Sequence, residues 1–191
     1  QTKLGDIGYT DVNGDGKIDG EDQVRIGKPT MPHFTYAFDF SLGYEGFTLS
    51  GLLYGTGERY MTFGNRYQSG EGKYLYYENQ LNYWRPDNTG ADFPRISISS
   101  GVNVNNNKAG STFWMRNASY LRLKDLQLSY DFKYKYLKRC DWLQTCRVNL
   151  SGSNLFTISG VSKFFDPETS STSGDGYPVQ RVYSIGVTIG F

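Results

Sequence analysis

Near the start of the chain, the stretch DVNGDGKIDGED runs from Asp11 to Asp22 and carries oxygen ligands at a spacing suited to a divalent cation. Asp11, Asn13, Asp15, Asp19 and Asp22 fall at positions 1, 3, 5, 9 and 12 of a calcium-type loop. Gly16 stands at position 6, where such a loop turns sharply, and Lys17 would add its backbone carbonyl from position 7. Four of these ligands are carboxylates that repel one another, so a bound Ca²⁺ is expected to hold the shape. Asp22 is one methylene shorter than the usual Glu, which suggests weak binding of about 10⁻⁵–10⁻³ M. An ion-free turn built from Asx and glycine geometry is the competing reading. Flanking helices are missing: Gly27, Pro29 and Pro32 follow too soon after Asp22 for one to form.

Other chemistry finds little support. The one histidine, His33, sits beside a proline at the mouth of an extended segment, where an interface role is the simpler reading. Asp166 and Glu168 in the stretch DPE could pose as paired carboxylates, but Pro167 and the Ser/Thr-rich run after them point to a loop turn. Cys140 and Cys146 match no metal motif, and a disulfide and two free thiols both remain open. The chain is therefore expected not to be an enzyme. Twenty basic and nineteen acidic residues leave a charge of +1, which gives no reason to expect nucleic acid as a partner.

The elements that must position the loop read as strands. Composition joins 16 Tyr, 12 Phe and 23 Gly to a polar mean hydropathy, which fits short strands between polar loops. From Phe34 to Tyr44, large apolar residues alternate strictly with small or polar ones over eleven positions. That is the length of a membrane-crossing barrel strand, with aromatics at both ends. Glu45-Gly46 makes a tight turn, and Phe47, Leu49, Gly51 and Leu53 carry the alternation back. In YLRLKDLQLSYDF, Leu121 and Leu123 share one parity while Leu126, Leu128 and Tyr130 share the other, so a β-bulge is expected at Lys124-Asp125. CRVNLSGSNLF supplies Val148 and Leu150 outward, with Arg147, Asn149, Ser151 and Ser153 inward. At the end, Tyr183, Ile185, Val187, Ile189 and Phe191 form one apolar row. A terminal aromatic in register with such a strand is the form that outer-membrane assembly reads. By phase, Arg122 and Arg147 point inward, where lumen carboxylates such as Asp39 would pair with them.

Connections alternate between short and long, as in barrels whose short turns face the periplasm and whose long loops face outside. The reading is all-β: five or so antiparallel strands from the C-terminal end of a larger transmembrane barrel, since closure takes about eight at least. Residues 1–33 form an extracellular calcium-type loop, 55–115 a long extracellular loop and 179–191 the terminal strand. Within the long loop, KYLYYENQLNYW is expected to hold one short helix. Its Tyr74, Tyr76, Tyr77, Tyr83 and Trp84 could meet a partner, stack on a substrate or pack the loop against the barrel rim.

Several stretches, in order, resemble the C-terminal end of the SusC/RagA-type TonB-dependent transporters of Bacteroidetes outer membranes. They are GDIGYTDVNGDGKIDGEDQVRIGKP, FTYAFDFSLGYEGFTLS, WRPDN with FPRIS, FWMRNASYLRLKDLQLSY, SGSNLFTIS with DPE, and YPVQRVYSIGVTIGF. The resemblance implies a barrel of about 22 strands in the outer membrane, surrounded by lipid, whose remaining strands and plug lie outside this chain. It also implies import of oligosaccharides or peptides, a SusD-like surface lipoprotein as lid, and energy delivered by TonB. Two other readings stand beside it: a dockerin-like calcium-binding adhesion or scaffolding module, and a passive structural barrel.

Overall fold

Eleven residues of uninterrupted alternation fold as one strand. In the computed structural model, which describes residues 2–68, 76–96, 106–169, 172, 176–177 and 179–191, β1 spans Phe34–Tyr44. A two-residue turn returns the chain as β2, Phe47–Gly57. Glu45 and Gly46 both hold positive φ, 46° and 86°, the turn whose twist matches the flanking strands. β3 (Tyr60–Thr62) and β4 (Met115–Asn117) are short and pair only with each other. β5 (Tyr120–Asp131), β6 (Thr145–Ser159) and β7 (Val182–Gly190) complete an antiparallel sheet of order β1-β2-β5-β6-β7.

Register turns the separate alternations into one face. Leu42, Leu49, Leu128, Leu150 and Ile185 line up across all five strands. The parity change in β5 is resolved as expected: Leu52 faces Asp125 while Leu53 faces Leu123, so Lys124 is the bulged residue. Leu121, Leu123, Leu126, Leu128 and Tyr130 thereby share the apolar side. A matching irregularity in β6 was not foreseen. Between Leu123↔Phe156 and Asp125↔Ser153, β6 advances three residues against two, and Asn154 there adopts a φ of 55°.

This apolar face is open. Phe38 is 62% exposed, Ile185 73% and Val187 62%. On it, β1 aromatics lie flat over β2 glycines: a Cβ at Gly51, Gly55 or Gly57 would meet the rings of Phe40, Tyr36 and Phe34. The opposite face is polar, with Ser50, Gln127, Ser151 and Ser184 in one row. No helix is long and apolar enough to cross a membrane among the described residues, a statement that leaves strands untouched.

The buried core lies elsewhere. Ile7, Met61, Phe63, Tyr67, Phe93 and Trp114 pack together with Ala118, Val161 and Phe165 beyond one end of the sheet. Segments 2–33, 58–119 and 160–181 all leave the sheet at that end, where β1 and β7 begin and β2 and β6 finish. Of the expected helix in KYLYYENQLNYW, the described residues form a single 3₁₀ turn, Glu78–Leu81, because Tyr77 and Tyr83 pack against the aromatic core. At the opposite end, a 3₁₀ turn at Phe132–Tyr134 opens the β5–β6 link. Asp131 caps it, accepting from the Lys133 N–H at 2.9 Å. Cys140 and Cys146 are both free thiols.

Candidate functional site

Three structures at the loop end of the sheet hold the residues singled out by sequence: the calcium-type loop, an aromatic cluster, and an ion-pair clamp.

The calcium-type loop folds through its own carboxylates. Asp11 accepts the N–H groups of Gly14 at 2.6 Å and Gly16 at 2.7 Å, while Asp15 accepts Lys17 N–H at 2.8 Å. Asn13 accepts from Asp15, and Asp19 accepts from Glu21, capping the 3₁₀ turn Gly20–Asp22. Asp22 closes the loop, accepting from Val12 at 2.8 Å and from Asp19 at 2.9 Å. Those N–H groups, Asp19 first and Val12 next, hold the Asp22 carboxyl below the usual carboxylate range. The donor set (carboxylates, the Asn13 amide and the Lys17 carbonyl) is all oxygen and suits Ca²⁺. Apart from Asp22 Oδ1, which accepts from both Val12 and Asn13, the bonded carboxylate oxygens keep a further lone pair beyond their N–H bond. No group of three or more His, Cys, Asp or Glu side chains converges on a metal-sized point among the described residues, so the carboxylates would have to swing inward to ligate. Gln23 leaves the turn in extended conformation, and residues 23–33 contain no helix, unlike the loop–helix order of a dockerin.

Just ahead of the loop, Gly5 to Tyr9 are fastened to the rim. The Asp6 carboxylate, fully buried, meets the Arg95 guanidinium at 2.6 Å and accepts from Asn107 at 2.9 Å. Asn107 also accepts from Ile7 N–H, and Tyr9 donates to the Asn106 carbonyl at 2.6 Å. Burial pushes the Asp6 carboxyl up, but the bonds from Arg95, Lys3 N–H and Asn107 outweigh it and leave it below the ordinary value. Gly5 has a φ of 85°, and a Cβ there would lie 2.3 Å from the Trp84 ring.

The aromatics of the long loop mostly pack. Tyr77 stacks near Tyr67 with ring centroids 5.1 Å apart, and Tyr83 borders the same core. Trp84 covers Gly5 and donates its backbone N–H to the Phe93 carbonyl at 2.9 Å. Tyr76 is half-buried, and Tyr74 lies outside the described residues. Exposure passes instead to Leu81, 64% exposed on the 3₁₀ turn.

The clamp was missed. Arg122 is 1% exposed and does not pair with Asp39, which sits across from Leu52 on the β1–β2 ladder. Its guanidinium spans Asp166 at 2.5 Å and Glu168 at 2.8 Å and donates to Thr157 at 2.8 Å. Glu168 also takes Tyr120 OH at 2.6 Å and Lys124 at 2.8 Å. Burial raises the Glu168 pKa, but bonds from Lys124 and Tyr120 and the charges of Arg122 and Lys124 bring it below the usual range. DPE is thus a loop turn, as expected, that also ties the β6–β7 connection to the polar face of β5. Its only advance signal was two acids near a proline in a chain whose β5 carries an inward arginine. Arg147 pairs at 3.7 Å with Asp131 at the far end of the sheet. His33 meets Glu58 at 2.6 Å where β1 and β2 diverge.

Comparison with known proteins shows what the chain is similar to. No family model matches the chain. It is 27% identical to TonB-dependent receptor P26 of Formosa agariphila, covering 98% of this chain and 20% of that protein. TonB-dependent receptor P3 of the same organism is 26% identical over 96% of this chain and 19% of its own length. The solved structure of the RagAB peptide transporter superposes with a TM-score of 0.69 at 27% identity, covering 92% of this chain and 19% of that one. Its closed-closed state gives 0.69 over 96% of this chain and 20% of the other. The chain therefore spans about a fifth of the length of these relatives. Sequence and fold agree: this chain is similar to a barrel portion of the TonB-dependent receptors and of the RagAB peptide transporter.

Proposed function

We propose that the protein containing this chain is an outer-membrane importer of oligosaccharides or peptides, energised through TonB and closed by a SusD-like surface lipoprotein. The observation that carries this reading is the two-faced sheet: an apolar row continuous over five strands, a polar reverse, and the longest connections gathered at one end. The RagAB peptide transporter lends support for a two-component importer. A passive barrel would have no need of the clamped, aromatic-cored loops at the mouth. Deletion of the full-length gene should abolish growth on one glycan or peptide class, and unchanged growth and uptake across such a panel would refute import. A photo-cross-linker at Leu81 should capture the lipoprotein in whole cells; labelling of that position from the periplasm would invert the topology.

The same reading gives the calcium-type loop a structural role, with Asp11, Asn13, Asp15, Asp19, Asp22 and the Lys17 carbonyl as ligands. Exchanging backbone N–H bonds for Ca²⁺ would rigidify the rim beside a docking lid, and extracellular calcium would fill even a site of about 10⁻³ M. Metal analysis of full-length protein held in millimolar calcium should find the ion, and Asp11→Asn with Asp15→Asn should remove it. An empty loop in the unaltered protein under those conditions defeats the assignment.

A further inference from the structure

Between the β6–β7 connection and the polar face of the sheet lies a cavity of about 480 Å³, large enough for a few residues or sugar rings. Three cations line it: Arg122, Lys163 and Arg181. Arg122 is spent, because Asp166 and Glu168 neutralise it from the clamp. Asp166 is the lone acid among the described lining residues, and its charge is committed to Arg122 in turn. Lys163 and Arg181 differ. Both are exposed, and neither forms an ion pair among the described residues. The remaining wall includes Ser162 and the apolar side chains of Phe164, Phe165 and Val179.

Such a wall asks for a ligand with one anionic group and an apolar or ring-shaped body. A guanidinium fork and an ammonium are strong donors to a carboxylate, and confinement beside aromatic rings raises the value of that charge. The clamp adds rigidity: fastening Asp166 and Glu168 to β5 fixes the turn that follows Lys163. We propose that this cavity is a carboxylate-binding subsite of the import path, with Lys163 and Arg181 as its anion contacts. The proposal rests on the import reading and narrows it to substrates bearing a carboxylate, either a peptide with a free acid or an acidic oligosaccharide.

The test uses purified full-length transporter and two matched pairs of probes. One is a short peptide with a free or an amidated C-terminus; the other is an oligogalacturonate or its methyl ester. Titration calorimetry should show about tenfold tighter binding of the charged member of one pair, as expected for a charge-assisted contact. Raised salt should shrink that preference. The peptide pair responding identifies a peptide acid, and the uronate pair a sugar acid. Lys163→Ala with Arg181→Ala should erase the preference while leaving the neutral member's affinity unchanged, which also shows that the variant is folded. Lys163→Glu with Arg181→Glu should reverse it. Equal affinity within both pairs, a preference that survives the double substitution, or no binding of either pair overturns the subsite. Import itself is judged separately by growth of the deletion strain.

Discussion

Phe38 and Phe63 are the same side chain in opposite surroundings. Phe38 stands in the sheet at 62% exposure, one of a row of large apolar residues that touch no second layer. Phe63 is 1% exposed and rings with Tyr67, Phe93, Trp114, Phe164 and Phe165, all with centroids within 6.2 Å. The sheet is held by backbone ladders and cross-strand pairs, and its apolar face suits acyl chains, where no water must be expelled by a protein partner. The loop end is a water-facing mini-domain that must bury its own aromatics. One chain therefore solves two different solvent problems, divided at the line where β2 ends and β5 begins.

The largest expected effect breaks the sheet side of this contrast. Phe191→Asp places a charge on the terminal apolar row and should prevent stable insertion, read as loss of the heat-modifiable barrel from outer-membrane fractions. Normal surface levels would mean that the row is not the lipid face. Within β7 the contrast sharpens: Ile185→Lys should cost about 2–4 kcal/mol near mid-membrane, whereas Ser184→Lys on the polar side should insert normally. Equal behaviour of the two would erase the distinction between faces.

The loop side should fail locally. Trp114→Ala removes the largest fully buried ring among the described residues of the aromatic core and should cost about 3–5 kcal/mol, confined to the loops. Proteolysis of residues 58–119 should accelerate while the barrel still inserts; loss of insertion would show that the two regions fold as one. Gly5→Ala is smaller, about 1–3 kcal/mol, since it forces a side chain into a left-handed backbone and against Trp84. Hydrogen exchange across residues 5–9 would report it.

The smallest effect is a titration. Folding lowers the Asp6 pKa from its ordinary 3.8, so its bond to Arg95 contributes fully above that value. The contribution disappears as the pH falls through the lowered folded value. Residues 2–9 should then exchange faster in acid while β1 to β7 stay protected. Release of this segment on raising the pH instead would show the wrong sign.

Strand phase, the Glu45-Gly46 turn and the bulge at Lys124 were all legible in the sequence, because a period of two is a local property that any register must respect. The oxygen spacing from Asp11 to Asp22 was equally visible, and so was the resemblance that linked these stretches. What escaped is long-range. Arg122 finds Asp166 and Glu168 forty-four and forty-six positions away, through a loop that folds back over the sheet, and no alternation encodes that return. The bulge at Asn154 compensates one in a neighbouring strand, so it appears only when the two are paired. The aromatics from Tyr76 to Trp84 had three possible neighbours in sequence; only the packing of Phe63, Phe93 and Trp114 around them made most of them structural. Sequence determines which side of a strand a residue faces, because the pleat does so locally. Tertiary structure decides whether that side meets a ring, a carboxylate or lipid, because such neighbours arrive from distant parts of the chain or from outside it.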